Sequence, residues 1–355
     1  MTRIPTGQHM AASDKTMTDS GPLSVDLSVI MSVYNGERFL AAAIESVLAQ
    51  TFSRFEFLIL DDGSTDGTAA IIQSYAARDH RIRPIIRENR GLVASLNQLL
   101  AEARAPLVAR MDGDDICRPE RFATQLAFLA DNPDHGVVGC WSEDMGEDGG
   151  PYTSVMREHP VGNAEFQHNV RHGGPLLCHP SVIYRRELVL GQGGYHAAFR
   201  HCEDFDLWLR LASVTKIANI PQRMIRYRHY LGQVSKRHAT EQQVGAAVAY
   251  EAWRRRDAGL PDPTEHATSL PPLEQLDAFF GEPGVARRVR EAVTRGILHS
   301  PVALRDEGFD IMLRHVREGG TREGLWRTVL RLAKLGEPLR ALRLSSALAA
   351  ALATS

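Results

Sequence analysis

Asp112-Gly113-Asp114-Asp115 follows directly on an apolar run, Pro106 to Met111. Carboxylates two and three positions apart on a loop can converge on one divalent cation, and Mg2+ or Mn2+ takes oxygen ligands that it shares with substrate phosphates. A solvated acidic turn has the same composition; the place of this one at a strand end favours the metal reading. A second acidic run is Asp61-Asp62-Gly63-Ser64-Thr65-Asp66-Gly67-Thr68. Its alternate oxygens suggest a calcium loop, but an EF-hand needs a glutamate at the twelfth place, where Gln73 stands. A carboxylate here can instead accept from a base imide or from ribose hydroxyls, and Asp66 reads as the cap of a following helix. Third is Ser32-Val33-Tyr34-Asn35-Gly36-Glu37, where an aromatic ring can stack on a nucleobase. Fourth is Glu203-Asp204, opening a helical pattern. A carboxylate beside an acceptor hydroxyl can take its proton, although acids in a first helical turn also simply favour the helix dipole.

The elements around these residues have a consistent rhythm. Val25–Val33 and Phe55–Leu60 are near-continuous apolar runs of the kind that form parallel strands covered on both faces. Arg83–Ile86 and Pro106–Met111 read as two more strands. Helical spacing recurs over Glu37–Gln50, Thr68–Ala77 and Leu92–Ala103. This alternation predicts a doubly wound, mostly parallel sheet, in which ligands bind beyond the carboxyl ends of the strands. The polar clusters after Val33, Leu60 and Met111 all fall there. Further along, Pro175–Tyr184 reads as a strand and Phe205–Leu211 as a helix. Past Arg237 come a helix over Gln242–Arg256, a proline-rich linker over Gly259–Pro272 and a run of arginine-rich amphipathic helices.

Composition excludes several classes. A formal net charge of -2, with 43% hydrophobic and 24% charged residues, gives no drive toward nucleic acid. Cys117, Cys140, Cys178 and Cys202 form no C-x-x-C pair, which fits a reducing cytoplasm. His168, His172, His179 and His201 are numerous, but their spacing places no H-x-x-x-H on one clear helix, so they read as scattered. The polar start of the chain lacks the apolar core of a secretory signal, and no apolar run reaches the roughly 18 residues of a membrane span. No G-x-G-x-x-G follows the first strand and no G-x-x-x-x-G-K-[ST] occurs, which argues against a dinucleotide oxidoreductase and a P-loop NTPase.

Taken in order, VIMSVYNGERFLAAAIESVLAQTF, FLILDDGSTDGT, NRGLVASLNQLL, ARMDGDDICRPERF, HPSVIYRREL and GGYHAAFRHCEDFDLWLRL resemble the family 2 glycosyltransferases. The resemblance spans about Leu27 to Tyr230. It implies a GT-A nucleotide-binding, Rossmann-like α/β domain over residues 25–237, between a flexible tail (1–24) and a C-terminal helical region (238–355). It implies inverting, metal-dependent transfer from a nucleotide-diphosphate sugar, by default a UDP-sugar, to a saccharide or lipid-linked acceptor in cell-surface polysaccharide or glycolipid synthesis. Ser32 and Tyr34 would hold and stack the base, Glu37 would lie near the ribose, Asp62 would bind the base, and Asn89 and Arg90 would lie near the donor. Asp112 would face the ribose and Asp114 would be the main ligand of Mn2+ or Mg2+, with Asp115 less suited. Asp204 would be the catalytic base, with Glu203 its neighbour. Arg228, His229 and Gln233-Val234-Ser235 resemble a segment that closes over the donor; for His229 a plain surface position is an equal alternative.

His179-Pro180-Ser181 and Gly193-Gly194-Tyr195 suit either an acceptor pocket or ordinary core and turn. Leu325–Leu352 sets apolar residues, Trp326 among them, on one side and Arg or Lys on the other, suiting a membrane surface or packing on the catalytic core. The expected location is the cytoplasm, with peripheral contact at the inner membrane face as an option. Two other functions fit the carboxylates: a sugar-nucleotide binder without turnover, and a nucleotidyltransferase. The latter needs a glycine-rich basic loop after its first strand, where Tyr34-Asn35-Gly36-Glu37 stands.

Overall fold

The computed structural model describes residues 25–153, 158–233 and 237–353. The tail expected over 1–24, and Val234-Ser235 of the closing segment, lie outside the described residues. The N-terminal part alternates as its apolar pattern dictates: β1 (Leu27–Val33), α1 (Leu40–Leu48), β2 (Phe55–Asp62), α2 (Thr68–Ala76), β3 (Ile82–Arg87), α3 (Leu92–Glu102) and β4 (Leu107–Arg110). There follow β5 (Ile116–Cys117), α4 (Arg121–Asp131), β6 (His135–Met145), α5 (Asn163–His172), β7 (Ile183–Arg185), α6 (Arg186–Gly191), α7 (Glu203–Leu211) and β8 (Lys216–Arg228). The C-terminal helices are α8 (Ala239–Asp257), α9 (Leu276–Phe280), α10 (Val285–Ile297), α11 (Glu307–Arg317), α12 (Leu325–Lys334) and α13 (Pro338–Ala353).

The eight strands form one sheet in the order β3-β2-β1-β4-β7-β6-β8-β5. β3, β2, β1 and β4 are parallel, so their carboxyl ends share one edge. Side chains alternate between the faces. Leu58 and Leu60 of β2 join the core that α3 covers, whereas Phe57 and Ile59 join the one covered by α1. The first of these cores continues through Trp208 of α7 to Val248, Phe309 and Leu348, so the C-terminal helices pack on the sheet domain. There α8 crosses α7 closely: a Cβ on Gly245 would sit 2.3 Å from Cys202 Sγ.

The second half supplies the antiparallel part of the mostly parallel sheet. β7 pairs antiparallel with β4 and β6, and β5 antiparallel with β8. The strand expected over Pro175–Tyr184 is mostly irregular chain with a 3-10 turn at His179–Ser181; only Ile183–Arg185 pairs. Pro175 and Pro180 lack the N–H that a ladder requires. The long strands β6 and β8 carry a weak apolar signal. The second half of β6 is polar, and β8 contains Pro221, accommodated where the β6–β8 register shifts beside Cys140 and Trp141.

Candidate active site

The loop after β4 is held from beneath by buried arginines. Arg110, which faces Ile30 of β1 in register, is 3% exposed and ion-paired with Asp112. Burial opposes its charge, but Asp112 holds the guanidinium firmly cationic. Arg121, fully buried at the start of α4, donates through Nη2 to the carbonyls of Arg110 and Val182, bracing β4 and β7. On the far side Arg228 of β8 donates its backbone N–H to Asp115 Oδ1 at 2.9 Å and its Nε–H to the Asp114 carbonyl at 2.7 Å. Gly113 lies against Val33, where a Cβ would approach Val33 Cγ2 to 3.0 Å, so this loop adjoins the end of β1.

Asp112, Asp114 and Asp115 present carboxylate oxygens within 4.8 Å of one another. Burial, then the Asp112 charge, push Asp114 up to about 6; Tyr230 donates a hydrogen bond that partly offsets this. Asp115 is fully buried, its pKa is driven up by burial and by Asp114, and its Oδ2 has no hydrogen-bond partner. Three crowded carboxylates, one with an orphaned oxygen, suit a hard divalent cation, and all three donor atoms are oxygens. The residues therefore fit Mn2+ or Mg2+.

Glu203 and Asp204 reach the same place from the first turn of α7. A cavity of about 1120 Å3 is lined by Arg110, Asp112, Asp114, Glu203, Asp204 and His229, among others. Asp204 Oδ1 accepts from the Phe205 N–H at 2.8 Å, and Oδ2 lies 3.9 Å from His179 Nδ1. Burial raises the Asp204 pKa. Glu203 is 4% exposed, and burial and then the Asp204 charge push it up to about 8. His179 is kept neutral by burial and by Arg110, and contacts the Tyr195 hydroxyl at 3.2 Å. Tyr195 is itself fixed by Asn97, which bonds its N–H and its carbonyl, each at 2.8 Å. That close approach needs Gly194: its φ is +70°, and a Cβ would strike Asn97 Oδ1 at 2.5 Å.

Ser32, Tyr34, Glu37, Asp62, Asn89 and Arg90 are not among the residues that line this hollow, whereas His229 is. Tyr34 is 55% exposed past the end of β1. Asn35, at φ 51°, accepts from the Thr65 N–H and donates its own N–H to Ser64 Oγ, tying the β1 and β2 loops together. Ser32 is partly buried on β1. Glu37 accepts from the Gly67 N–H at 2.6 Å and Asp66 from the Thr68 N–H at 3.0 Å, so both serve the start of α2. Asp62 is buried, with its oxygens accepting from the N–H groups of Arg90 and Gly91 and paired with Arg87 at 2.9 Å. Gly63 allows this, since a Cβ there would lie 2.5 Å from the Asn89 nitrogen. Asn89 and Arg90 are exposed. His229 faces the cavity: its Nε2 is 3.0 Å from Asp144 Oδ1, and its ring stacks on Tyr152 at 4.3 Å.

Several lining residues carried little sequence signal. Arg110 had one, a lone charge inside an apolar strand next to the acidic run. Asp144, Tyr230, Gln242 and His299 had none, and the last two bring the C-terminal helices into the cavity wall.

A sequence model described as glycosyl transferase family 2 matches residues 28–190. A Bacillus subtilis protein named as a glycosyltransferase, EpsE, is 34% identical over 249 residues, covering 69% of this chain and 86% of that protein. The chain belongs to glycosyl transferase family 2. This family 2 glycosyltransferase is also 30% identical over 217 residues to the amylovoran biosynthesis glycosyltransferase AmsE of Erwinia amylovora, covering 59% of this chain and 79% of AmsE. Among solved structures, S. aureus TarS 1-349 with UDP-GlcNAc matches at TM-score 0.51 and 16% identity, over 91% of this chain and 90% of that one. The mannosyltransferase PcManGT from Pyrobaculum calidifontis, solved with GDP-Man and Mn2+, matches at 0.51 and 17%, over 92% and 88%. These two share its GT-A fold.

Proposed function

We propose that this protein is an inverting, metal-dependent glycosyltransferase that moves a sugar from a nucleotide-diphosphate sugar, a UDP-sugar first, to a hydroxyl of a saccharide or lipid-linked acceptor. The observation that carries this reading is that Asp204 lines the same hollow as Asp112 and Asp114. The nucleotide sugars in the TarS and PcManGT structures support the donor class. The names of relatives such as AmsE support a role in cell-surface polysaccharide synthesis.

In this reading residues 25–237 are the catalytic domain, and 238–355 completes its wall through Gln242 and His299. Tyr34 would offer its exposed ring to the base, Ser32 and Asp62 would serve the base side, and Glu37, Asn89 and Arg90 would serve the ribose and donor. Asp112 and Asp114 would hold Mn2+ or Mg2+, which when bound neutralises charge on the leaving diphosphate. Arg110 keeps a fixed positive charge beneath them. Asp204 takes the proton of the acceptor hydroxyl as it attacks the anomeric carbon, and one displacement inverts that centre. Burial and the Asp204 charge hold Glu203 protonated at neutral pH, so Glu203 is not the base in this reading. His229, clamped by Asp144 and Tyr152, closes the donor side.

The test is Asp204→Asn. The amide can still accept the Phe205 N–H, so binding of UDP-sugars by calorimetry stays within about twofold, while turnover falls by roughly a hundredfold or more. A fully active variant removes Asp204 from the role.

Among the described residues no helix is long and apolar enough to cross a membrane. α12 and α13 use Leu325, Leu332, Leu344 and Leu348 against the core, yet leave Trp326, Leu330, Leu339, Leu342 and Leu352 exposed, near exposed Arg327, Lys334 and Arg343. We infer that this basic, apolar face meets an anionic lipid surface, which places the enzyme peripherally at the inner, cytoplasmic face of the membrane.

A further inference from the structure

A second group of metal-ligating side chains lies where the loop before α7 meets the head of α8. His201 Nε2 is 3.6 Å from Glu241 Oε2, and His238 Nδ1 is 3.3 Å from the same oxygen. The three donor atoms all lie within 4.8 Å of one another. The two imidazoles are stacked, with centroids 4.0 Å apart and 17° between planes, so each presents a nitrogen to the carboxylate. Around a tetrahedral Zn2+ with bonds of about 2.0–2.2 Å, neighbouring ligand atoms are about 3.3–3.6 Å apart. Both measured separations are those of a tetrahedron edge.

Two further observations set His201 apart. Its Nε2 is buried and has no hydrogen-bond partner, which an ordinary core histidine avoids. Its backbone is held at φ 67°, a left-handed conformation that is strained for a residue with a Cβ and that clusters at functional sites.

We propose that His201, His238 and Glu241 form a binding site for a Zn2+-class transition-metal ion. Two imidazoles and one carboxylate are a three-ligand zinc set with a fourth position left for water or a ligand. The donors separate this site from the carboxylate loop: imidazole suits Zn2+, whereas an all-oxygen set suits Mg2+ and Mn2+. The ion would fasten the loop that starts α7 to the first turn of α8. Since His201 also lines the main cavity, two residues before Glu203, the site stands on the cavity wall and ties the C-terminal helices to the base-bearing turn.

The test uses the full chain carrying Asp112→Asn and Asp114→Asn, so that the carboxylate loop does not contribute. Metal-free protein is titrated with Zn2+ alone by calorimetry, and with Co2+ by visible absorption. One Zn2+ per chain and the ligand-field bands of four-coordinate Co2+ are expected. His238→Ala and Glu241→Gln, at partly exposed positions, should keep the melting temperature of the metal-free protein and weaken Zn2+ binding at least about a hundredfold, beyond what outer-shell changes usually cost. Absence of stoichiometric Zn2+, or equal affinity in the two variants, overturns the proposal.

Discussion

Replacing Glu203 by glutamine tests the electrostatics of the hollow without touching the proposed base. Glu203 is 4% exposed, its Oε2 has no partner, and its pKa stands at about 8 against 4.5 for an unperturbed glutamate. A carboxyl whose folded pKa is raised stabilises most below its unfolded value, and that stability is lost as pH rises through the folded value. At pH 7 the folded protein keeps a proton that the unfolded chain has released. Over the interval from 4.5 to 7 this costs about 2.5 × 1.36, or about 3 kcal/mol. Glutamine has the same shape and no proton to hold. Glu203→Gln should therefore raise unfolding stability by about 1–3 kcal/mol at pH 7 and by close to nothing near pH 4, where both states of the wild type are protonated. Urea unfolding of metal-free protein at the two pH values reads this directly. Because Glu203 is neutral at pH 7 in either form, turnover should stay within about threefold, in contrast to Asp204→Asn. A glutamine variant that is less stable at pH 7, or whose stability differs from wild type equally at both pH values, refutes the raised pKa. Loss of turnover matching that of Asp204→Asn refutes the division of roles between the two carboxyls.

Arg110→Met should destabilise the protein by about 3–5 kcal/mol at pH 7, since it leaves Asp112 and its neighbours without their buried cation. Denaturant titration should show much of that loss recovered near pH 4, and an equal loss at both pH values would count against the charge argument. Trp326→Ser with Leu330→Ser should reduce co-sedimentation with anionic phospholipid vesicles about tenfold while leaving the fold intact by circular dichroism. Unchanged pelleting would end the membrane reading of that face.

How legible each part was follows from its range. β1 through β4 were readable because both sheet faces are covered, which forces continuous apolar runs such as Leu27–Val33 and Phe55–Leu60. β6 and β8 were not, because residues such as Glu143, Asp144, Arg226 and Arg228 work in the sheet as ion pairs and loop anchors rather than as core. Pro175–Tyr184 looked like a strand by composition, and its prolines decided otherwise. For the candidate site, the acidic loop after β4 and the Glu203-Asp204 turn stood out in sequence because strand ends and helix starts are local features. Asp62 and Glu37 stood out equally, yet their carboxylates turn out to be engaged with the backbone at the starts of α3 and α2.

By itself the sequence determined the family, the alternation that builds the parallel half of the sheet, and the edge where its acidic loops emerge, since period and strand-end position are written in neighbouring residues. Only the tertiary structure decided which carboxylates face one another, that burial raises the pKa of both Glu203 and Asp204, and that His201 meets His238 and Glu241. Those depend on distances and desolvation between segments remote in the chain, and an interaction that falls off over a few ångströms leaves no trace in the spacing of residues along it.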